Sequence, residues 1–226
     1  MSNLDYILNI SSLSKNFGGL LAVNNCTLKI QRGSITGIIG PNGSGKSTLF
    51  NLIAGSLKPS SGKVFFNNKD ITGLPSYNLF SQGILRTFQI AHEFTNLTVL
   101  ENLMMVPSKQ SGENLINALF LRKKFENQEN EIRKKAYEVA EFLNLKHLAN
   151  EIAGNLSGGQ KKLLELGRTM MVDSKLVLLD EVGAGVNRTL LKDLGTAILR
   201  LNKEKGYTFC MIEHDMDFIS RMCNPV

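Results

Sequence analysis

Gly40-Pro-Asn-Gly-Ser-Gly-Lys-Ser47, followed by Thr48, fits the phosphate-binding pattern Gly-x4-Gly-Lys-Ser/Thr. Each position answers a physical need. Glycines let successive backbone N–H groups turn inward around phosphate oxygens with no side chain in the way. A helix opening near Ser47 points its positive end at the anion. Lys46 then reaches the β- and γ-phosphates, and the Ser47 hydroxyl is placed to ligate Mg²⁺. A glycine-rich turn can arise by chance, but this one has the right flanks. Apolar Ser34-Ile-Thr-Gly-Ile-Ile-Gly40 reads as a strand before it, and Ser47 to Ala54 as a helix after it, stopping near Gly55.

Working outward, Tyr6 to Ile10, Asn25 to Ile30 and Val64 to Asn67 read as short strands punctuated by turn residues. From Thr98 to Leu148 the texture turns helical, and Ile132, Ala136, Val139, Ala140 and Leu143 recur at helical intervals. The charged run Arg122-Lys-Lys124 in that region reads as a solvated face. Alternation then resumes: a helix over Gly158–Val172, a strand over Lys175–Leu179, a helix over Thr189–Lys203, a strand over Tyr207–Ile212 and a helix from Asp215. Strands separated by helices of this length predict a mainly parallel sheet, with a helical subdomain inserted into an α/β core.

Composition sets outer limits. A chain of 226 residues, 42% hydrophobic and 20% charged, can bury a substantial core without staples or metals. The three cysteines, Cys26, Cys210 and Cys223, have no paired spacing and read as reduced, mostly buried thiols. Met1 to Asn9 lacks the pattern of a secretory signal, and the apolar runs fall far short of the roughly 20 residues a membrane helix needs. A net charge of +6 decides little, because exposed charges are screened within roughly 8 Å at physiological salt.

Two further segments carry chemistry. Leu176-Val-Leu-Leu-Asp180 with Glu181 is an apolar strand ending in two carboxylates, at the strand end where α/β sheets place ligands. Asp180 is placed to hold Mg²⁺, directly or through water, and Glu181 to orient or polarise an attacking water. Alone, this stretch is equally a surface turn; the phosphate loop earlier in the chain tips the reading. In Asn155-Leu-Ser-Gly-Gly-Gln160, Ser157, Gly158 and Gly159 open a helix as an outward-facing anion site, although an ordinary N-cap with flexible glycines accounts for the local pattern equally well.

The order of phosphate loop, Leu156-Ser-Gly-Gly-Gln160, strand with Asp180-Glu181, and strand followed by His214 resembles the nucleotide-binding domains of ABC ATPases over essentially the whole chain. Ser157 stands 23 residues (157 to 180) before Asp180. The resemblance implies an α/β P-loop fold with an ABC-type inserted helical subdomain. Residues 1–89 and 173–226 would form a RecA-like core with N-terminal antiparallel strands, and residues 90–172 the helical subdomain. It also implies ATP and Mg²⁺ as ligands. Phe17 would stack on adenine, residues Gly40, Pro41, Asn42, Gly43, Ser44, Gly45, Lys46, Ser47 and Thr48 would hold the phosphates, and Ser47, Gln89 and Asp180 would surround the metal. Lys46, Gln89, Glu181 and His214 would serve catalysis. Ser157, Gly158, Gly159 and Gln160 would cap the nucleotide of a second ATPase subunit paired head to tail. Val182 stands where the family usually has proline, and Asn187 where it more commonly has aspartate; the latter puts signalling at that loop in doubt. The family's domain continues past the histidine helix, so the stop at Val226 implies a C-terminus cut short.

The finer pattern, Arg86-Thr-Phe-Gln89, Leu97-Thr-Val-Leu-Glu-Asn102 and Gly183-Ala-Gly-Val-Asn187, resembles the branched-chain amino acid importer ATPases; relatives for urea and amides and for lipopolysaccharide export share such features. The resemblance implies a peripheral subunit on the cytoplasmic face of the plasma membrane, partnered by permease subunits, touching neither cargo nor nucleic acid. A non-transport ABC ATPase would call for coiled-coil or nucleic-acid-binding additions. A regulatory module would lack Glu181 or His214, and a nucleoside kinase would carry a lid in place of Leu156–Gln160.

Overall fold

The computed structural model describes residues 5–87, 94–107 and 122–226, the last stretch with side chains from residue 126 onward. Gln89 and the side chains of Arg122-Lys-Lys124 lie outside the described residues. Contacts divide the chain into two compact units: Met1–Gln89 with Ser174–Ala184 and Ile198–Val226, and Ile90–Asp173 with Gly185–Ala197.

The first unit holds two four-stranded sheets. One is antiparallel, in the order β2-β1-β4-β5, built from β1 (Tyr6–Phe17), β2 (Leu20–Gln31), β4 (Ser61–Phe66) and β5 (Lys69–Asp70). The other is parallel, in the order β3-β8-β7-β6, built from β3 (Ile35–Ile38), β6 (Ile84–Arg86), β7 (Leu176–Asp180) and β8 (Thr208–Ile212). Every residue of β7 and β8 is buried, as expected of parallel strands covered on both faces. The helix α1 (Lys46–Ile53) joins the sheets through one apolar cluster, in which its Phe50 and Ile53 meet Leu8, Ile10 and Phe66 from the antiparallel sheet and Leu178 and Ile212 from the parallel one. The short helix α2 (Ser76–Gln82) precedes β6.

The sequence pattern predicts short N-terminal strands, whereas β1 and β2 run on to form a long hairpin in the antiparallel sheet they share with β4 and β5. Register shifts along β1, and Ser12 in the left-handed backbone region, break the apolar–polar alternation that would have announced the strands' full length. The later elements fall within two residues of expectation.

The second unit is helical, with α3 (Val99–Met104), α4 (Arg122–Phe142) and α5 (Gly158–Met170). Thr98 and Glu101 form a capping box that starts α3, and Thr98 pairs with Ile152 across a bridge. Ala136, Val139, Ala140 and Leu143 are buried along one stripe, as their spacing predicts, while Ile132, earlier on that stripe, is only partly buried. The buried amide of Asn102 accepts from Phe94 N–H and donates to the carbonyls of Phe94, Leu97 and Thr98, so the entry to α3 is fixed by satisfied polar contacts. The helix α6 (Arg188–Lys205) starts in this unit and ends in the first, and α7 (Met216–Met222) closes the chain, with Asp215 as its N-cap.

Leu178, fully buried in β7, tests the core. Leu178→Ala should cost about 2–5 kcal/mol, read as a lowered denaturant midpoint at unchanged m-value. A loss under about 1 kcal/mol would mean that the parallel sheet is not the centre of packing.

Candidate active site

The strand β3 ends at Ile38, and the chain turns through Gly40 to Gly45 before α1 begins at Lys46. Gly45 has φ +88°, and a Cβ there would lie 2.2 Å from the Ala22 carbonyl, so only glycine lets the turn press against β2. No side chain caps α1, and no acidic residue lies in its first turn. The first N–H groups and the positive helix end therefore remain available to an anion. Pro41, Asn42, Gly43, Ser44 and Ser47 are exposed, Gly40 and Thr48 partly buried. Lys46 is buried and folds back over the loop, its ammonium donating to the carbonyls of Gly40 at 2.8 Å and Pro41 at 2.9 Å. Phe17, at the end of β1, is not a core residue. Its side chain is 45% exposed, and Lys15 Nζ lies 5.0 Å from the ring centroid.

The next strands bring the carboxylates to the same edge of the sheet. In the parallel ladder Asp180 of β7 pairs with Ile212 of β8, so Asp180, Glu181 and His214 follow one another across neighbouring strand ends. The Asp180 side chain is only 2% exposed; its Oδ2 accepts from Arg86 Nη2 at 2.7 Å, and its Oδ1 has no hydrogen-bond partner. Glu181 takes the left-handed backbone conformation, φ +49°, rare for a non-glycine residue and of the kind that gathers at functional sites. Its N–H donates to the Ile212 carbonyl, and its Oε1 lies 3.0 Å from His214 Nε2. Glu213, between β8 and His214, is buried. It accepts from the N–H of Gly183 at 2.7 Å and of His214 at 3.4 Å, and burial pushes its carboxyl above the ordinary range despite those bonds. It thereby ties the turn after Glu181 to the turn carrying His214.

In the second unit, Ser157 and Gly158 are exposed at the start of α5, as an outward-facing site requires. Ser157 accepts from Gln160 N–H at 3.3 Å while Gln160 Oε1 accepts from Ser157 N–H at 2.9 Å, a complete capping box. Gly159 is buried instead. A Cβ on it would sit 2.4 Å from the Leu190 side chain, so this glycine is required by packing against α6. Asn187 accepts from Leu190 N–H at 2.9 Å and caps α6.

Arg86 and Glu213 were not singled out from the sequence. Arg86 stood in a motif without a role of its own, and a carboxylate next to a histidine carries no sign that it is buried.

Among the described residues no three His, Cys, Asp or Glu side chains gather as a metal cage. The site suits Mg²⁺ bound together with a nucleotide. That ion makes do with one or two carboxylates plus phosphate oxygens, and Asp180 offers a buried oxygen with a free acceptor site.

A glycine turn between a buried parallel strand and an uncapped helix, at the carboxyl edge of the sheet, is the phosphate grip of the P-loop nucleoside triphosphatases, the class to which the first unit's fold assigns the chain. The family model described as "ABC transporter" matches residues 23–184, and the chain belongs to the ABC transporter ATP-binding family. Its reaction is ATP hydrolysis. The chain is 45% identical over 213 residues to the probable branched-chain amino acid transport ATP-binding protein LivG of Methanocaldococcus jannaschii, covering 94% of this chain and 82% of the relative. It is 44% identical over 220 residues to the corresponding protein of Archaeoglobus fulgidus, covering 97% and 84%. Among solved structures it resembles the ADP conformation of an ATP-binding cassette of an ABC transporter, with a TM-score of 0.82, 41% identity and coverage of 97% and 85%. It also resembles a dimeric bacterial ABC transporter cassette, with a TM-score of 0.76, 26% identity and coverage of 96% and 91%.

The raised Glu213 carboxyl has a readable consequence. Below the ordinary carboxylate range the group is protonated in folded and unfolded chains alike. As pH rises through its elevated folded value, stability is lost, because the native state resists ionisation. Glu213→Gln should therefore gain thermal stability over the parent at pH 8, the gap closing as pH falls to about 4. Parallel melting curves across that range would contradict this.

Proposed function

We propose that this chain is an ATPase subunit of an importer for branched-chain amino acids, peripheral on the cytoplasmic face of the plasma membrane, with permease subunits as its membrane partners. The observation that carries the catalytic part is the Glu181–His214 contact, placed beside the buried Asp180 at the ends of adjoining parallel strands. The cargo follows the names of the relatives and the finer motif pattern; urea or amide import and lipopolysaccharide export are the alternatives the same pattern allows. No helix among the described residues is long and apolar enough to cross a membrane, in keeping with a subunit that docks on others.

In this reading the first unit binds the nucleotide, as the core, and the second is the helical subdomain. Phe17 offers an exposed ring to adenine. The Gly40–Thr48 turn, with the uncapped N–H groups of α1, surrounds the phosphates, and Lys46 leaves its loop carbonyls for the β- and γ-phosphates. Ser47 and Asp180 would hold Mg²⁺, together with Gln89, which lies outside the described residues; the ion would offset charge on the phosphate oxygens. Glu181 orients a water in line with the γ-phosphorus. The water oxygen bonds to phosphorus, the bond to the bridging oxygen of ADP breaks, and the water's proton passes to the Glu181 carboxylate. His214 fixes that carboxylate and contacts the γ-phosphate. A second ATPase subunit, a copy or a sister chain, pairs head to tail and lays its Ser157–Gln160 segment on the nucleotide, so turnover belongs to the dimer and its opening drives the permease.

Glu181→Gln should keep ATP affinity within about threefold, lower turnover about 100-fold or more, and accumulate an ATP-bound dimer in size-exclusion chromatography. Undiminished hydrolysis would remove Glu181 from its role. Phe17→Ala should weaken nucleotide binding about 2–10-fold, and unchanged affinity would argue against stacking. For the cargo, ATPase activity of the complex reconstituted with its permeases should rise with a leucine-loaded binding protein. A response to urea or an amide alone would transfer the assignment to that relative.

A further inference from the structure

Among the described residues two buried side-chain atoms have no hydrogen-bond partner, Arg86 Nε and Asp180 Oδ1, and both belong to one ion pair. Buried polar groups are paired in the great majority of native structures, so two unpaired atoms in a single contact call for an explanation. We propose that Arg86 is a positioning residue that holds the Asp180 carboxylate by Oδ2 and so presents Oδ1 to the hydrated divalent cation of the bound nucleotide. This rests on the assignment of Asp180 to that cation.

The placement follows from strand register. Arg86, the last residue of β6, pairs with Leu178 in the parallel ladder. Side chains two residues apart on a strand share a face, so Asp180 lies diagonally ahead of Arg86, within reach of a long side chain. The guanidinium is used as a fork: Nη2 donates to Asp180 Oδ2 at 2.7 Å, and Nη1 donates to the Asn51 Oδ1 on α1, the helix that carries Lys46. A lysine would supply one charge and no fork. With Asp180 only 2% exposed and Arg86 19% exposed, the pair is shielded from water, and the Oδ2 contact limits how the carboxylate can rotate. One oxygen is committed, and the free one is directed by it. Partners that orient a metal-facing ligand in this way typically govern affinity by 10–100-fold.

The test is binding of a fluorescent, non-hydrolysable ATP analogue to the full chain, measured with Mg²⁺ and with EDTA. In the parent, Mg²⁺ should tighten binding. Arg86→Gln should reduce that tightening about 10–100-fold while changing affinity in EDTA less than about threefold. Arg86→Lys should fall between, and Asn51→Ala should lose less than Arg86→Gln. Asp180→Asn is the reference. If it removes the Mg²⁺ effect and Arg86→Gln leaves it intact or enlarges it, the positioning role is overturned and the Asp180 assignment stands. If Asp180→Asn leaves the effect intact, both fail. Should Arg86→Gln not fold, the Lys and Asn51 variants decide: an unchanged Mg²⁺ effect in both overturns the proposal.

Discussion

The parallel ladder β3-β8-β7-β6 is the constraint on which the rest depends. Its central strands are buried on every residue and, apart from Thr208 at the start of β8, carry apolar side chains until Asp180 ends β7. Only at the carboxyl edge, where the backbone leaves the sheet, does polar chemistry become affordable. The phosphate turn follows β3, Asp180 ends β7, and His214 follows β8, so the sheet's register sets the spacing of the site before any side chain contributes. The buried Asp180 and Glu213 are each desolvated, a cost offset by the Arg86 guanidinium in one case and by two backbone N–H groups in the other.

This logic explains what was legible in the sequence. A glycine turn with a lysine and hydroxyls, flanked by an apolar strand and a helix, is a local pattern, and β7 announces itself by five apolar-to-acidic residues, Leu176 to Asp180. The stripe from Ala136 to Leu143 was equally readable, because one helix face carries it. What escaped depends on pairing across the chain. The long antiparallel hairpin of β1 and β2 was foreshortened because bulges blur its alternation. Arg86 gains meaning only through its register with Leu178 and its reach to Asp180, and Glu213 only through burial against Gly183. No single-strand pattern encodes those.

The Ser157–Gln160 segment occupies a middle ground. Its local explanation as a helix cap is satisfied in full, because each side chain bonds the other's backbone N–H. Ser157 and Gly158 are exposed all the same. The two readings are therefore compatible: the cap makes the start of α5 rigid, and a rigid start is what a surface meant to meet a phosphate requires. Gly159 has a different reason to be glycine, the pressure of Leu190 from α6.

The Lys46 ammonium is already hydrogen-bonded by two loop carbonyls. In the proposed role, capture of a triphosphate by Lys46 would be a swap of acceptors and not a rescue of a bare charge. The carbonyls released by the swap must find water or rotate. The lysine's share of binding energy is a difference between two well-solvated arrangements, and a ligand too short to reach it would forfeit little.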